Sequence, residues 1–332
     1  MPKLEDIAKA ANVSISTVSK ALNNQSDVSE KTRKKIVEIA EAYNYTTPSS
    51  KKDETGNIGV IFCRDNQPLS MNPFYSRVLE GIEAELALNN YDLVLKLISA
   101  NYSGGFPKSI DTKKIDGLII VGALNEAFIK KIKTLKTSSI LVDPKTYSEN
   151  YTQVLIDNEH GAFIATQYLI NKGHKRIGLI SGDINRLSFS QRLDGYKKAL
   201  KYNNINFLDK YIRTGGIESG YELTNQLLSV EPPPTAIFAA NDINALHGYK
   251  AIKERSLRIP EDISVIGFDD INMAKISSPP LTTVRVYKEE IGSIAVRTLL
   301  KSLDDNNPKN MNTIMPIKLI KRESVQDITN QP

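Results

Sequence analysis

The chain has 332 residues, of which 40% are hydrophobic and 24% charged, with a formal net charge of +5. This length can bury a sizeable core in more than one domain, and so mild a charge permits an anionic partner without requiring one. The single cysteine, Cys63, excludes an internal disulfide framework, and its apolar surroundings predict a small buried residue. No apolar run reaches the roughly 18 residues that span a bilayer, and no signal-peptide pattern is present, so we expect a cytoplasmic protein with no membrane partner.

Residues 1–45 have the pattern of helices only. Ser14 and Ser29 stand where helix N-caps belong, and Asn12, between the first two predicted helices, tolerates a left-handed backbone. Two short helices around such a turn are typical of a helix–turn–helix. The apolar residues at helical spacing are Leu4, Ile7, Ala8 and Ala11, then Ile15, Val18 and Leu22, then Ile36, Ile39, Ala40 and Tyr43.

The stretch ANVSISTVSKALN, residues 11–23, separates into two helix faces. At about 100° per residue, Ser16 and Lys20 point away from the apolar stripe, where they could reach base edges or phosphates. Ser14 and Thr17, near the start of the helix, could anchor phosphates. Periodicity alone favours the simpler alternative, a packing helix with a soluble face. The apolar stripe consists of Ile15, Val18, Ala21 and Leu22.

From residue 58 onward, short β-branched runs alternate with helical patterns. This rhythm predicts parallel sheets with right-handed crossovers, and the number of strands predicts two α/β lobes with a ligand cleft between them. A late helix over 288–304 and a strand, TIMPIKLI, complete the pattern. The expected core spans 58–328, with a first lobe of about 58–157 plus 287–312 and a second of about 158–286 plus 313–328.

The segment LEDIAKAANVSISTVSKALNNQSDVSEKTRKKIVEIAEAYNY resembles the DNA-binding headpiece of the LacI/GalR family of bacterial transcription repressors. The resemblance continues through DNEHGAFIATQYLINKGHKRIGLISG and SSPPLTTVRVYKEEIG, and it implies a periplasmic-binding-protein-like core of two doubly wound parallel-sheet lobes. Lys20 replaces the usual arginine, so bidentate recognition of guanine would be lost. The implied base-reading residues are Ile15, Ser16 and Lys20, and the implied backbone-contacting residues are Ser14, Thr17, Asn23, Thr32 and Tyr45.

The polar segment TTPSSKKDETGN, residues 46–57, predicts a linker. Family members usually carry a hinge helix here, whose leucine enters the minor groove. This segment contains no leucine, and an apolar wedge is what offsets base unstacking. We therefore expect weaker DNA bending than is typical of the family. Lys51 and Lys52 could touch phosphates, although a solvated charged linker is the simpler alternative.

Polar residues follow several predicted strands, at the edge where side chains of an α/β sheet face the crevice. The resemblance implies that Arg192, Asn241 and Asp269 match positions that commonly hydrogen-bond an effector. Arg186 and Ser188 match variable positions of the same region.

On the first lobe, Phe74 and Tyr75 match a ligand-facing aromatic pair, and a core stripe is the alternative. Among the other acidic residues, Asp242 has the position of a helix cap, and Asp270 also has a structural alternative. The resemblance weakens at TGGIESGY, where family members often carry a stacking aromatic and this chain has glycines. A sugar ring would lose one stacking face there.

Enzymatic function is disfavoured, because the sequence has no P-loop, GxSxG elbow or dinucleotide fingerprint. The three histidines lack metal-ligand spacing, so no metal or cofactor is expected. We therefore expect a transcriptional regulator, a repressor acting as a homodimer on double-stranded operator DNA, controlled by a small-molecule effector such as a sugar or sugar derivative. The alternatives are a purine-responsive, corepressor-type regulator and a solute-binding protein, which would need a signal peptide and no headpiece.

Overall fold

The computed structural model describes residues 4–22, 27–43, 45, 55–64, 69, 72–110, 114–135, 137–304 and 310–329. The chain divides into two compact units, Met1–Thr55 and Gly56–Pro332. The described residues of the first unit form the helices α1 (Leu4–Ala11), α2 (Ile15–Leu22) and α3 (Glu30–Ala42).

Local capping sets the ends of these helices as the sequence predicts. The Ser14 hydroxyl accepts a hydrogen bond from the Thr17 amide at 3.1 Å, and that of Ser29 accepts one from the Thr32 amide at 3.2 Å. Asn12 has a φ of 58°, which makes the left-handed turn between α1 and α2. The buried apolar residues of this unit are Ile7, Ala8, Ala11, Val18, Ala21, Val28, Ile36 and Ala40.

Two side chains depart from the predicted apolar pattern. Ile15 and Tyr43 are each 46% exposed, so the prediction that they belong to the apolar faces is wrong. The eight-residue α2 buries only Val18 and Ala21 against its neighbours. Ile15, in the first turn, is left on the surface.

The second unit carries the two lobes, and the chain passes through most of the first before entering the second. The first stretch contains β1 (Asn57–Arg64), α4 (Tyr75–Leu88), β2 (Asp92–Ser99), β3 (Gly117–Val121), α5 (Glu126–Lys133), β4 (Ser139–Val142) and β5 (Thr152–Ile156). The second contains α6 (Asn158–Asn171), β6 (Ile177–Ser181), α7 (Leu187–Tyr202), β7 (Ile212–Thr214), α8 (Gly220–Leu228), β8 (Ala236–Ala239), α9 (Asp242–Glu254), β9 (Ser264–Asp269), α10 (Asn272–Ile276) and β10 (Thr282–Val286). The chain ends with α11 (Lys288–Asp304), β11 (Asn312–Met315) and β12 (Ile317–Ile320).

Each lobe is built on one sheet with six described strands. The order in the first lobe is β11-β5-β4-β3-β1-β2, with all pairs parallel. The order in the second is β12-β10-β9-β8-β6-β7, in which β12 alone runs antiparallel to its neighbour. The inner strands β3, β6 and β9 are mostly apolar and are buried along their whole length, as parallel sheets covered on both faces require. The predicted two-lobed α/β fold is confirmed.

The last helix returns to the first lobe, where α11 packs directly against α4. A Cβ on Gly81 of α4 would overlap the backbone of Glu289, and one on Gly292 of α11 would overlap the backbone of Val78. Glycine at these two positions therefore allows the helix backbones to touch.

The segment TIMPIKLI is two strands rather than the single strand predicted. Residues up to Met315 pair with β5 in the first sheet, and those from Ile317 pair with β10 in the second. Pro316 lies between them, and its missing N–H interrupts the ladder. The expected lobe boundary at 312–313 therefore moves to Pro316. Within the described ranges, no helix combines the length and apolarity needed to cross a bilayer.

Candidate functional site

The start of α2 presents a cluster of hydroxyl groups on the surface of the first unit. The Ser14 Oγ lies 2.8 Å from the Ser16 Oγ and 2.7 Å from the Thr17 Oγ1, in addition to capping the helix. Ser14, Ile15 and Ser16 are exposed, and Thr17 is half-buried. Hydroxyls and backbone amides at a helix N-terminus suit phosphate or base contacts.

Lys20 has a partner that the sequence analysis missed. Its Nζ donates to Asp27 Oδ2 at 2.6 Å, and this hydrogen bond holds the pKa of Asp27 below its ordinary value. Both side chains are about half exposed, at 46% and 54%, so the pair is weak in water. A base or phosphate that engages Lys20 would compete with Asp27 for the ammonium group.

The remaining predicted DNA-contacting residues lie in or after α3, or outside the described chain. The Thr32 Oγ1 lies 2.7 Å from the Ser29 Oγ at the start of α3. Tyr45 packs against the three-helix core, and its amide donates to the Ala40 carbonyl at 2.8 Å. Asn23 lies outside the described residues.

A cavity between the two lobes brings together all the predicted effector residues. Its free volume is about 40 Å³, room for a few waters, because side chains of both lobes fill it. The predicted residues that line it are Phe74, Tyr75, Arg186, Ser188, Arg192, Asn241 and Asp269, and those that the prediction missed are Asn72, Asp143, Phe189 and Ile217.

A chain of hydrogen bonds crosses this cavity from one lobe to the other. The Tyr75 hydroxyl donates to Asp143 Oδ2 at 2.7 Å and accepts from Arg186 Nη2 at 3.1 Å. Beside it, the Leu187 amide donates to the Lys145 carbonyl at 2.7 Å. Tyr75 and Asp143 belong to the first lobe and Arg186 to the second, so we call these three residues the interlobe bridge. Asp143 directly follows β4. Polar residues just after a strand of such a sheet face the cleft, so its position in the sequence could have predicted it.

Arg192 is fixed in the wall of the cavity on the second lobe. It is 4% exposed, its Nε donates to Asn158 Oδ1 at 2.8 Å, and its Nη1 donates to the Ala240 carbonyl. The guanidinium lies 3.7 Å from the centre of the Phe268 ring. Burial lowers the pKa of Arg192, while the charge of Asp269 acts in the opposite direction.

Asp269 is held in an unusual backbone conformation beside Arg192. Asp269 has a φ of 113° and Asp270 one of 52°, values that residues other than glycine rarely adopt. Lys288 stabilises this turn, since its Nζ donates to the carbonyls of Asp269 at 2.5 Å, Asp270 at 3.2 Å and Val286 at 3.3 Å. The sequence offered no signal for Lys288, because the contact joins the start of α11 to the end of β9.

Burial raises the pKa of Asp269 to about 6, against the opposing charges of Arg192 and Lys288. Its Oδ1 lies 3.4 Å from Arg192 Nη2 but makes no hydrogen bond with any described residue. Asn241 caps α9 by accepting from the Asn244 amide at 2.7 Å, yet its Nδ2 is likewise without a hydrogen-bond partner in the described chain. The cavity wall thus presents one buried amide donor that costs about 1–3 kcal/mol while unsatisfied, and one buried carboxylate oxygen held only by a long ion pair with Arg192 among the described residues.

The two other acids near the cleft have structural roles. Asp242 is not the cap that its position suggests, because Asn241 fills that role. Its carboxylate accepts from the Thr283 hydroxyl at 2.6 Å and the Ile271 amide at 2.8 Å, and burial raises its pKa to about 8.

Asp270 pairs with Arg285 and Arg322 at 2.6 Å each. Burial acts to raise the pKa of Asp270, but these two guanidinium groups outweigh it and hold the pKa below its ordinary value. Among the described residues, no group of three or more histidine, cysteine, aspartate or glutamate side chains is placed to hold a metal.

A helix–turn–helix unit joined to a two-lobed α/β core with a polar interlobe cavity defines the class of ligand-regulated DNA-binding proteins. Residues 3–48 match the family model described as bacterial regulatory proteins, lacI family, and residues 166–325 match the periplasmic binding protein-like domain. The chain belongs to the lacI family of bacterial regulatory proteins. It is a DNA-binding transcriptional regulator of the repressor type, whose DNA affinity a small-molecule effector controls.

Relatives cover nearly the full chain. The ribose operon repressor of Haemophilus influenzae is 32% identical across 99% of this chain and all of that protein. The transcriptional repressor PurR of Aliivibrio salmonicida is 31% identical with the same coverage. Among solved structures, the lac repressor dimer bound to operator and the anti-inducer ONPF has a TM-score of 0.69 and 27% identity, covering 98% of this chain and 99% of that one.

Proposed function

We propose that this regulator acts in the cytoplasm as a homodimeric repressor and that its effector is a sugar or sugar derivative bound in the interlobe cavity. The observation that carries this proposal is a pair of buried groups in the cavity wall: Asn241 Nδ2, which has no hydrogen-bond partner among the described residues, and Asp269 Oδ1, which has only the 3.4 Å ion pair with Arg192 there. Each sugar hydroxyl can both donate and accept, so neighbouring hydroxyls could satisfy both groups. A purine-responsive regulator, the alternative that the sequence leaves open, is the second candidate.

The apolar lining of the cavity suits a sugar ring despite the missing aromatic near Gly215, but the free volume of about 40 Å³ means that the lobes must open before a sugar can enter. Phe189 and Ile217 line the second-lobe side, and Phe74 lines the first-lobe side. Apolar faces with a few convergent polar groups are typical of small-molecule sites. The effector contacts would therefore come from Phe74, Tyr75, Arg186, Ser188, Arg192, Asn241 and Asp269.

Effector binding would act on DNA affinity through the interlobe bridge. A ligand in the cavity must displace or extend the hydrogen bonds of Tyr75, which joins Asp143 to Arg186. The lobes would then change their closure, and a coupling of roughly 1–3 kcal/mol is enough for a switch. Whether the effector releases the protein from DNA or tightens its binding depends on which degree of lobe closure the dimer requires on DNA.

On DNA, α2 would enter the major groove. Ile15, Ser16 and Lys20 would read bases from its exposed side. Paired half-sites would require a dimer, as helix–turn–helix proteins generally do, and the operator-bound lac repressor dimer supports this. The groups proposed to contact the DNA backbone are Ser14, Thr17, Asn23, Thr32 and Tyr45. Because the linker has no leucine wedge, weak bending remains our prediction.

The effector proposal is tested by Asn241→Ser, which keeps an N-cap acceptor on α9 and removes the amide donor. Asn125→Ser is the matched control, because Asn125 caps α5 in the same way and does not line the cavity. Sugars, sugar phosphates and purines are screened by thermal shift, and each hit is titrated calorimetrically and in an operator-binding assay. We expect Asn241→Ser to weaken binding of the active ligand about tenfold, the equivalent of one lost hydrogen bond. The affinity of Asn125→Ser should equal that of the wild type.

A purine that regulates operator binding while sugars do not would replace the sugar proposal with the second candidate. Equal affinity in Asn241→Ser and the wild type would contradict the role of Asn241.

For the DNA face, Ser16→Ala and Lys20→Ala should change sequence preference in a selection on random operators. Thr17→Ala should weaken binding to all operator sequences more evenly. If Ser16→Ala and Lys20→Ala both keep the sequence preference of the wild type, Ser16 and Lys20 do not read bases.

A further inference from the structure

We propose that the first lobe carries a second binding site, which takes a small phosphate ester and acts on the interlobe bridge. The site is a cavity of about 230 Å³ at the carboxyl ends of β3 and β4, outside the interlobe cavity. Ligands of α/β sheets bind at this edge of the strands, and the volume lies just below the roughly 300–1,000 Å³ of drug-sized pockets. A small metabolite therefore fits it.

The lining of this cavity has an apolar floor and a cationic rim. Ile120, Leu124 and Leu141 lie on the floor, and they are buried. Lys130, Lys133 and Lys145 lie on the rim with one acid, Glu126. The rim thus has an excess of positive charge.

The ammonium groups of Lys130 and Lys145 are available to a ligand, and that of Lys133 keeps an uncompensated charge. Lys133 Nζ donates to the neutral Asn150 Oδ1 at 2.8 Å, which leaves its charge uncompensated. Within the described part of the chain, the side chains of Lys130 and Lys145 have no hydrogen bond or ion pair. Lysine binds phosphate as a point charge, and a phosphate ester adds an organic part for the apolar floor.

The wall of the cavity is fixed before any ligand binds. The buried Gln153 accepts from the Ser148 amide at 3.1 Å and donates to the Ser148 carbonyl at 2.8 Å. The Tyr151 hydroxyl donates to the Ile129 carbonyl at 2.7 Å, joining the wall to α5. Such preorganisation reduces the entropic cost of binding.

The same wall leads directly to the interlobe bridge. Asp143, which accepts from Tyr75, is followed by Pro144 and Lys145 of the second cavity, and the Lys145 carbonyl accepts from the Leu187 amide of the other lobe. Gly122 also lines the second cavity, and a Cβ built on it would stand 3.4 Å from the Tyr75 hydroxyl. An anion held by Lys145 would therefore act on residues 143–145, which carry both interlobe contacts and lie before the part of the wall fixed through Ser148 and Tyr151.

Binding is tested by calorimetric titration of the full chain with glycerol 3-phosphate, inorganic phosphate and succinate. We expect glycerol 3-phosphate to bind best and the double variant Lys130→Gln/Lys145→Gln to lose affinity at least about tenfold. Lys131→Gln is the control, since Lys131 is exposed on the same helix and does not line the cavity. Glu126→Gln should tighten binding, because it removes the only rim carboxylate among the described lining residues.

Absence of binding at millimolar ester would overturn the proposal, as would an equal loss in Lys131→Gln. A preference for succinate or for inorganic phosphate would overturn the ester assignment.

The regulatory part rests on the proposed function and has its own readout. Glycerol 3-phosphate should change the affinity of the interlobe cavity for the sugar or purine found in the thermal-shift screen by about fivefold or more in the wild type, a coupling within the usual allosteric range, and not in Lys130→Gln/Lys145→Gln. An unchanged affinity would overturn the coupling. If ester binding persists while no sugar or purine affects operator binding, the proposed function fails and the second site stands.

Discussion

Replacement of Arg192 by methionine is expected to destabilise the core strongly, because it leaves a buried carboxylate without its cation. Arg192 is 4% exposed and contacts Asn158, Ala240 and Asp269. Removing one partner of a buried ion pair costs about 3–5 kcal/mol. Native domains have about 5–15 kcal/mol of stability in total, so a large part of the free energy of unfolding should be lost.

The assay is urea denaturation followed by circular dichroism, with Asp269→Asn and the double variant measured in parallel. Asparagine tolerates the positive φ of Asp269 and removes the charge. In Arg192→Met/Asp269→Asn the carboxylate that loses its cation is also absent, so the loss of stability should be smaller than the sum of the two single losses, by a coupling of about 1–3 kcal/mol. A loss below about 1 kcal/mol in Arg192→Met, or strictly additive effects, would refute a buried charge pair as the source of stability at this site.

Two further predictions concern the same turn. Burial raises the pKa of Asp269 to about 6 from 3.8. The protonated side chain therefore contributes fully to the free energy of unfolding below about pH 4, and this contribution is lost as the pH rises through about 6. The loss is about 3 kcal/mol; Asp269→Asn should reduce the slope of a stability profile between about pH 4 and 6, where Asp242, with its pKa raised to about 8, continues to contribute, and an unchanged slope would disprove the assignment. Lys288→Met should cost about 2–3 kcal/mol by leaving three carbonyls without their charged donor, and it should also weaken ligand binding in the interlobe cavity. The exposed Lys301→Met on the same helix is its control, and equal stability of these two lysine variants would count against the role of Lys288.

The cleft was largely predictable because it depends on a local rule. Asn241 comes just after the buried strand β8 and Asp269 ends the buried strand β9, and the carboxyl ends of parallel strands meet at one edge of a sheet. Asp143 obeys the same rule, because it directly follows β4, although it was not predicted. The exposed Ile15 was misplaced by periodicity, which registers apolar spacing but not where a small core ends.

What the sequence could not show are contacts between distant parts of the chain. Lys288 reaches the carbonyls of Asp269 and Asp270, 19 and 18 positions away, and the bond between Arg186 and Tyr75 joins residues 111 positions apart. The split at Pro316 was similarly hidden, because both halves of TIMPIKLI are good strand sequences. Only the sheet to which each half belongs distinguishes them.

The split at Pro316 also has a consequence for the synthesis of the protein. The first sheet is completed by β11, which pairs with β5 although more than 150 residues separate them. At about 5–20 residues per second, the ribosome needs roughly 10–30 s between these two strands, and during that time β5 has an open edge that other chains could join. The helix–turn–helix unit is complete within the first 55 residues. We therefore expect the DNA-reading part to emerge and fold well before the part that senses the effector.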